Sequence, residues 1–447
     1  MNMSNLYLNP YLDFFKYGEK YIMLNYMSGA CDIIDKSTYQ VISRRKFEAL
    51  DGTALKCLFN RKYLFQNQKK FQKEVALIDE VLASKKVVPN FLIIPTYRCN
   101  LSCGYCFEAA YKITESMSSN IEWIEQCLNS IDEIVTQSKK DFDFNDKDVY
   151  ITLMGGEPLL AQNYEQVSEI MNQITNHGYS FNVITNGTDL DVYLDELIRF
   201  ECQSIQITLD GSKEIHDNRR IYKNGNGSYE KIFQNIELAL SRNLKIYLRV
   251  NLDKDNLVDL PNLAKELLDY FGENDNLVPY VYPMQDGGCL GDGGIIDEIV
   301  CIEEIQLLNG KHPQMALFDK KFHASSFMDT VFQNQQFEMK FRNCSATNNQ
   351  YIFDYKGNIY KCWFGIGNAN FKIGTYGKAL SLNRQQDALW KNRNIKTLTK
   401  CQSCKYRYIC GGGCLSHVMT SADDAKKERC IDFYQIIKAQ LKGRLAK

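Results

Sequence analysis

Between residues 91 and 284, short apolar runs alternate with longer stretches in which apolar side chains recur every three or four positions. The runs fall at 91–95, 149–154, 180–185, 204–209, 245–251 and 278–284; the stretches at 121–135, 165–175 and 229–241 carry the helical period. Nearly continuous apolar strands separated by helices predict a parallel sheet covered on both faces. Six such units make a partial (β/α)6 barrel of the TIM type, an α/β fold whose function gathers at the carboxyl ends of the strands. We place this core at 89–290.

Residues 1–88 read differently. Strand-like runs at 21–24 and 30–34 flank a turn at 25–29, and helical patterns follow at 37–48, 53–59 and 66–82. Strands first and helices after predict a small α+β module of winged-helix type. Cys31 and Cys57 fall among apolar positions and read as buried core residues. Residues 291–335 read as a bridging region, and 336–447 as a C-terminal domain marked by cysteines.

Composition narrows the function classes. Lys plus Arg number 53 against 54 Asp plus Glu, so no net field draws the chain to nucleic acid or to an anionic membrane. No apolar stretch is long enough to span a bilayer, and the first residues lack the basic-then-apolar pattern of a secretion signal. Sixteen cysteines against five histidines, in a chain read as cytoplasmic, point to metal ligands rather than disulfides.

Cys99, Cys103 and Cys106 stand directly behind the first barrel strand, at spacings of three residues and then two. Three thiolates at one strand end suit a four-iron cluster that keeps one iron open. A zinc knuckle would need a fourth ligand within a few residues, and no Cys or His follows until Cys127. Further signals stand at successive strand ends. Met154-Gly155-Gly156-Glu157-Pro158 offers glycines that let backbone approach a ligand and a carboxylate that can accept from an ammonium. Thr185-Asn186-Gly187 follows the third strand. Thr208-Leu209-Asp210-Gly211, then His216, Arg219 and Arg220, follows the fourth, and Arg249 and Asn251 alternate along the fifth. Singly these are common turn sequences; their order after successive strands gives them weight. His216, in a polar loop beside Asp217 and two arginines, reads as structural.

The motif Cys-x3-Cys-x2-Cys, with Tyr105 before the last cysteine, resembles the radical S-adenosylmethionine (radical SAM) enzymes, whose open iron is chelated by the amino and carboxylate groups of SAM. The resemblance implies that Met154, Gly155, Gly156 and Glu157 hold the SAM amino group. It places Thr208 and Arg220 at the SAM carboxylate and ribose and the Tyr105 backbone near the adenine, with Asn186 and Arg249 in the same pocket.

A second array reads Cys344-x12-Gly357-x4-Cys362, then Cys401-x2-Cys404-x5-Cys410-x3-Cys414, then Cys430. It resembles the seven-cysteine SPASM pattern of radical SAM enzymes that modify ribosomally made peptides, among them thioether-forming synthases of the sactipeptide and ranthipeptide type. That likeness implies two auxiliary 4Fe–4S clusters, three clusters in all: Cys344, Cys362 and Cys414 on the inner one, Cys401, Cys404, Cys410 and Cys430 on the outer. A structural zinc site on Cys401, Cys404, Cys410 and Cys430 is the alternative. Some relatives add a cysteine ahead of the first SPASM cysteine, where this chain has Phe337-Glu338-Met339-Lys340-Phe341-Arg342-Asn343. The inner site is then left open or completed by Cys289 or Cys301. The resemblance further implies a precursor peptide with a leader sequence, bound as an added edge strand by residues 1–88, and a reductant such as flavodoxin or ferredoxin. The expected product is a cysteine thioether. A carbon–carbon crosslink is an alternative, as is sulfatase maturation, although Trp363 stands where such relatives place an acidic residue. A non-catalytic zinc or electron-transfer protein is the alternative of another class.

Overall fold

A computed structural model describes residues 3–108, 121–284, 295–333, 335–418 and 426–445. The chain opens with an antiparallel meander, β1 (Leu12–Tyr17), β2 (Lys20–Asn25) and β3 (Cys31–Asp35), followed by α1 (Lys36–Ser43), α2 (Gly52–Asn60) and α3 (Gln68–Ser84). Side chains of Asp35, Asp51 and Asn67 cap the three helices by accepting from backbone N–H groups of their first turns. The turn after β2 is organised by buried Asn25, which accepts from the Met27 N–H at 2.9 Å and donates to the Lys62 carbonyl at 2.9 Å. The α+β order is as expected. β1 escaped the sequence reading because Leu-Asp-Phe-Phe-Lys-Tyr neither alternates nor runs apolar. Cys57 is exposed and Cys31 only half-buried, so neither is the core residue that its apolar neighbours suggested.

The barrel strands are β4 (Asn90–Ile94), β5 (Tyr150–Leu153), β6 (Ser180–Thr185), β7 (Ile205–Thr208), β8 (Ile246–Leu252) and β9 (Leu277–Pro283). They pair in parallel, in sequence order, with helices α4 (Glu122–Lys139), α5 (Tyr164–Asn176), α6 (Leu194–Arg199), α7 (Lys213–Arg219), α8 (Tyr229–Ser241) and α9 (Leu260–Phe271) between them. The α/β partial barrel inferred from the apolar runs is the fold. One face differs from expectation. Along β6 and β9, buried residues alternate with half-buried ones. Outward side chains such as Phe181, Val183 and Val281 pack under the helices, while inward Thr152, Asn182, Gln206 and Tyr280 line a cavity of about 340 Å³. A barrel that stops short of closure leaves its lumen wet, and polar side chains are tolerated there.

The sheet extends beyond these six strands on both sides. The two-residue strand Asp319–Lys320, in the bridging region, adds parallel to β9. On the other side, β10 (Gln350–Asp354) pairs in parallel with β4, Asp354 opposite Ile94, and continues as hairpins into β11 (Asn358–Tyr360) and β12 (Lys372–Thr375). The C-terminal cysteine region is therefore stitched to the barrel by main-chain hydrogen bonds. Two further helices, Glu298–Lys311 and Phe433–Leu445, pack on one another, with the Gln306 amide donating to the Ala439 carbonyl at 2.7 Å.

The N-terminal module docks on the segment that carries Cys404 and Cys410. Asp79 accepts both from Arg407, at 2.8 and 3.0 Å, and from the Tyr408 hydroxyl at 3.0 Å; both charged side chains are almost fully buried. Asp13 accepts from Lys405 at 2.5 Å and from the Tyr406 hydroxyl at 2.6 Å. Deleting one member of a buried pair strands the other charge, at a cost of about 3 kcal/mol or more. Asp79→Ala is expected to lower the denaturation midpoint accordingly, and the double variant Asp79→Ala/Arg407→Leu to recover part of the loss, since an apolar pair leaves no charge uncompensated. Equal destabilisation by the single and double variants in a denaturant titration would count against this role for the pair.

Candidate functional site

The loop after β4 carries Cys99, Cys103 and Cys106, and its shape is set by the strand ends beside it. Residues 155–157 run against its stem: Gly156 N–H donates to the Thr96 carbonyl at 3.1 Å and Glu157 N–H to the Arg98 carbonyl at 2.8 Å. A Cβ at Gly155 would sit 2.5 Å from the Thr96 oxygen, and one at Gly156 would sit 2.4 Å from the oxygens of both Tyr97 and Arg98. The glycines thus allow backbone to meet backbone, a different use from the ligand approach that the motif suggested.

Glu157 is 1% exposed, and its carboxylate accepts from the Leu159 N–H (2.9 Å), the Thr185 hydroxyl (2.6 Å) and the Asn186 N–H (2.5 Å). Oε1 takes two of these donors and Oε2 one, which fixes the carboxylate at the strand ends and leaves Oε2 a lone pair. Burial raises its pKa to about 7, with those donors acting against the rise.

Asn186 joins the same assembly, its amide donating to the Asn100 side chain at 2.8 Å and to the Cys99 sulfur at 3.7 Å. Asn100 in turn donates to the Thr188 hydroxyl at 2.8 Å. On the far side of the loop, the Tyr105 hydroxyl donates to fully buried Asp210 and accepts from Arg220 Nη1 at 2.6 Å. Arg219 lies over the Tyr105 ring and is paired with Asp253 at 2.5 Å, a structural post. His216 is fully buried: Nδ1 accepts from the Asp210 N–H at 3.2 Å, and Nε2 lies 3.0 Å from the Ser228 hydroxyl. Its structural reading holds. Thr208 ends β7 in register with Arg249, whose Nε donates to Asn251 at 2.7 Å and whose guanidinium lies over the Tyr282 ring. Met154 closes β5, its N–H donating to the Ile93 carbonyl at 3.1 Å. All the nominated residues therefore gather at the strand ends. Asn100, Asp210 and Asn251 proved as central to the scaffold as any of them; Asp-Gly and Asn-x signals are too common in turns to have marked them.

The second array comes together from distant parts of the chain. Cys344 and Cys414 are the charges that add to burial in raising Cys362, whereas Cys401 is raised by burial and by Cys410, Cys404 and Cys430. Gly411, Gly412 and Gly413 all adopt positive φ (71°, 100° and 72°), and a Cβ at Gly413 would lie 2.1 Å from the Arg429 oxygen. Only glycine makes that reversal between Cys410 and Cys414 cheaply. The buried Arg393 donates to the Gly412 carbonyl at 2.9 Å between them. Cys301, offered as an extra ligand, is fully buried with Glu298 as its charged neighbour, away from the inner set. Cys289 lies outside the described residues. A ring contact of Phe107 with Phe364, 5.3 Å between centroids, links the first loop to the chain beside Cys362.

The donor chemistry fits iron–sulfur clusters. Burial pushes Cys99 up to about 12, with Glu157 and Cys103 adding to it, and Cys401 likewise. Thiolates this buried are stable only against a cationic centre. Among the described residues, no three Cys, His, Asp or Glu side chains close to the distances of a single metal ion, and the sulfurs of a four-iron cluster stand farther apart than that. The described cysteines form no disulfides. No helix of the described residues is long and apolar enough to cross a membrane.

Residues 93–267 match the Radical SAM superfamily. The radical SAM cyclopropyl synthase TigE of Paramaledivibacter caminithermalis is 20% identical over 94% of this chain and 91% of its own. The cysteine-type anaerobic sulfatase-maturating enzyme of Clostridium novyi is 23% identical over 73% and 87%. An S-adenosylmethionine-dependent nucleotide dehydratase of Psychrobacter lutiphocae is 28% identical over 43% of this chain, and the match spans 62% of that relative. Among solved structures, anSMEcpe with bound AdoMet (17% identity, TM-score 0.55, 80% and 97% covered) shares the fold. SuiB of Streptococcus suis with bound S-adenosylmethionine also shares it (14%, 0.52, 94% and 98%) and has been solved with a precursor peptide, SuiA. The chain thus carries a radical SAM domain, the class of protein module that binds a 4Fe–4S cluster and SAM.

Two outcomes follow from this geometry. Gly156→Ala is expected to push the cysteine loop off its stem and to cost the anaerobically reconstituted chain up to about a third of its iron, the share of one cluster in three; undiminished iron content would refute the close-contact argument. Burial, followed by the charges of Arg220, Arg219 and Lys213, holds His216 well below its ordinary 6.5. The folded state then binds fewer protons than the unfolded state below that pH. His216 therefore costs stability as pH falls through 6.5, by up to about 1.4 kcal/mol per pH unit. Denaturation midpoints of His216→Asn should fall less steeply there than those of the native chain.

Proposed function

We propose that this chain modifies a ribosomally made, cysteine-containing precursor peptide by radical chemistry, forming thioether crosslinks. The observation that carries the reading is the spacing of seven C-terminal cysteines, which resembles the SPASM pattern, in a chain that also carries a radical SAM domain. This supports two auxiliary 4Fe–4S clusters, the inner one short of a protein thiol and so able to take a thiolate of the substrate. When bound, the first cluster and SAM supply a 5′-deoxyadenosyl radical that removes a hydrogen atom from the substrate.

The protein's own part is placement. Cys99, Cys103 and Cys106 would hold the first cluster, on a loop fixed by Gly155, Gly156 and Asn186. Met154, Gly155, Gly156 and Glu157 would hold the amino group of SAM, and Thr208, Arg220, Asn186, Arg249 and the backbone at Tyr105 would orient the rest of it. The ring contact of Phe107 with Phe364 packs the first cysteine loop against the chain beside Cys362, and exclusion of water there would protect a reactive intermediate. Residues 1–88 would bind the leader peptide, with residues 89–290 as the core barrel and 336–447 as the auxiliary domain. SuiB, alike in fold, is a protein that binds a precursor peptide, and TigE is a relative along nearly the whole chain. A flavodoxin or ferredoxin would deliver the electrons.

The anaerobically reconstituted chain is expected to bind about twelve iron atoms, and Cys99→Ala to lose SAM cleavage to 5′-deoxyadenosine while retaining about eight. Mass spectrometry of the cognate precursor should show two hydrogens lost per crosslink, with the cysteines no longer open to alkylation. Cysteines that remain alkylatable after turnover would rule out the thioether.

A further inference from the structure

Beside Cys362 and Cys414 one side chain has a buried nitrogen with nothing to bind. His417 stands three residues past Cys414, in a turn closed by the Val418 N–H donating to the Leu415 carbonyl at 3.0 Å. Its Nδ1 is shielded from solvent and has no hydrogen-bond partner among the described residues. Such an atom is costly to bury, and in native proteins it marks a place that water, an ion or a ligand completes. The ring lies edge-on to Phe364, 6.1 Å between centroids, and Phe364 stands two residues past Cys362. Ser416 joins the two cysteines, its hydroxyl 3.0 Å from the Cys414 sulfur and hydrogen-bonded to Cys362 as well. Burial raises the Cys414 thiol, and His417 with Ser416 brings it down to about 7, so the imidazole lies beside that sulfur. The segments that leave Cys362 and Cys414 thus clasp the ring between them.

On the reading of Cys344, Cys362 and Cys414 as ligands of an inner 4Fe–4S cluster, on which this inference rests, one iron lacks a protein thiol. We propose that His417 is the resting ligand of that iron, through Nδ1, and gives way to the cysteine thiolate of the substrate. A neutral imidazole binds metal through either ring nitrogen, and histidines take the place of cysteines on one iron of Rieske centres. Imidazole is uncharged and less soft than a thiolate, so an arriving thiol displaces it. In the exchange the Fe–N bond breaks, an Fe–S bond forms, the thiol proton passes to solvent and no electron moves. Until that exchange the iron is closed to water and to stray ligands.

The test uses the full chain, anaerobically reconstituted in thiol-free buffer without SAM, with its histidine rings isotopically labelled at nitrogen. Pulsed electron paramagnetic resonance of the reduced clusters should show the coupling of a directly bonded ring nitrogen. His417→Ala and His417→Gln should lose that coupling at an iron content equal to native, and added imidazole should restore a bonded nitrogen to His417→Ala. β-Mercaptoethanol, the thiol probe, should abolish the coupling in the native chain. His417→Ala, with no ligand to displace, should bind the same thiol about tenfold more tightly. About twelve iron atoms per native chain with no histidine coupling, a coupling that survives both substitutions, or equal thiol affinity in native and His417→Ala would each overturn the proposal and leave the cluster reading standing. About eight atoms or fewer in the native chain would overturn the reading of two auxiliary clusters, and the proposal with it.

Discussion

One buried carboxylate organises the catalytic end of the barrel. Glu157 leaves β5, accepts from its own turn at Leu159, and reaches the end of β6 to accept from Thr185 and Asn186. The backbone next to it lies against the stem of the loop that leaves β4. Three adjacent strand ends thereby become one body. Because its partners are internal and water is excluded, this network is stiff in the way that buried hydrogen-bonded networks are, and the cysteine loop takes its shape from it. Sulfur ligands that must present an open corner to a second molecule need such a frame, since a shift of an ångström would misplace that corner.

Around this frame the molecule separates two environments. The outward face of the sheet is packed under helices and is apolar; the lumen is half-open and polar, with Asn182, Gln206, Arg249 and Asn251 along successive strands. The segment that carries Cys404 and Cys410 is bound to the N-terminal module through Asp79 and Arg407, and the C-terminal region to the barrel through the pairing of β10 with β4. Lys405, Tyr406, Arg407 and Tyr408 form that segment's side of the interface, so a displacement of the N-terminal module would be felt directly beside Cys404 and Cys410.

Much of this was legible in the sequence, and the exceptions have physical reasons. The six barrel strands were readable because each is an apolar run. The strands that were missed are those without such a signature: Leu12–Tyr17, whose pattern is mixed, and Asp319–Lys320, which is two residues long. The pairing of β10 with β4 is non-local, and no periodicity reports it. At the site, the sequence showed that Glu157 belongs to the motif and not that Leu159, Thr185 and Asn186 hold it. Which donors reach a carboxylate is a tertiary fact. For the same reason Cys57, set among apolar positions, faces water.

The seam between β4 and β10 bears on how the protein is made. Tyr97, at the root of the cysteine loop, hydrogen-bonds to Asp354 across 257 residues of chain, so the first barrel strand has an open edge until residues 350–354 have been synthesised and have found it. Contacts of that sequence separation form late, because closing so long a loop costs entropy before any pairing is gained. The strand that leads into the cysteine loop is therefore complete on one side long before the other, and the exposed edge is an opening for mispairing until the seam closes.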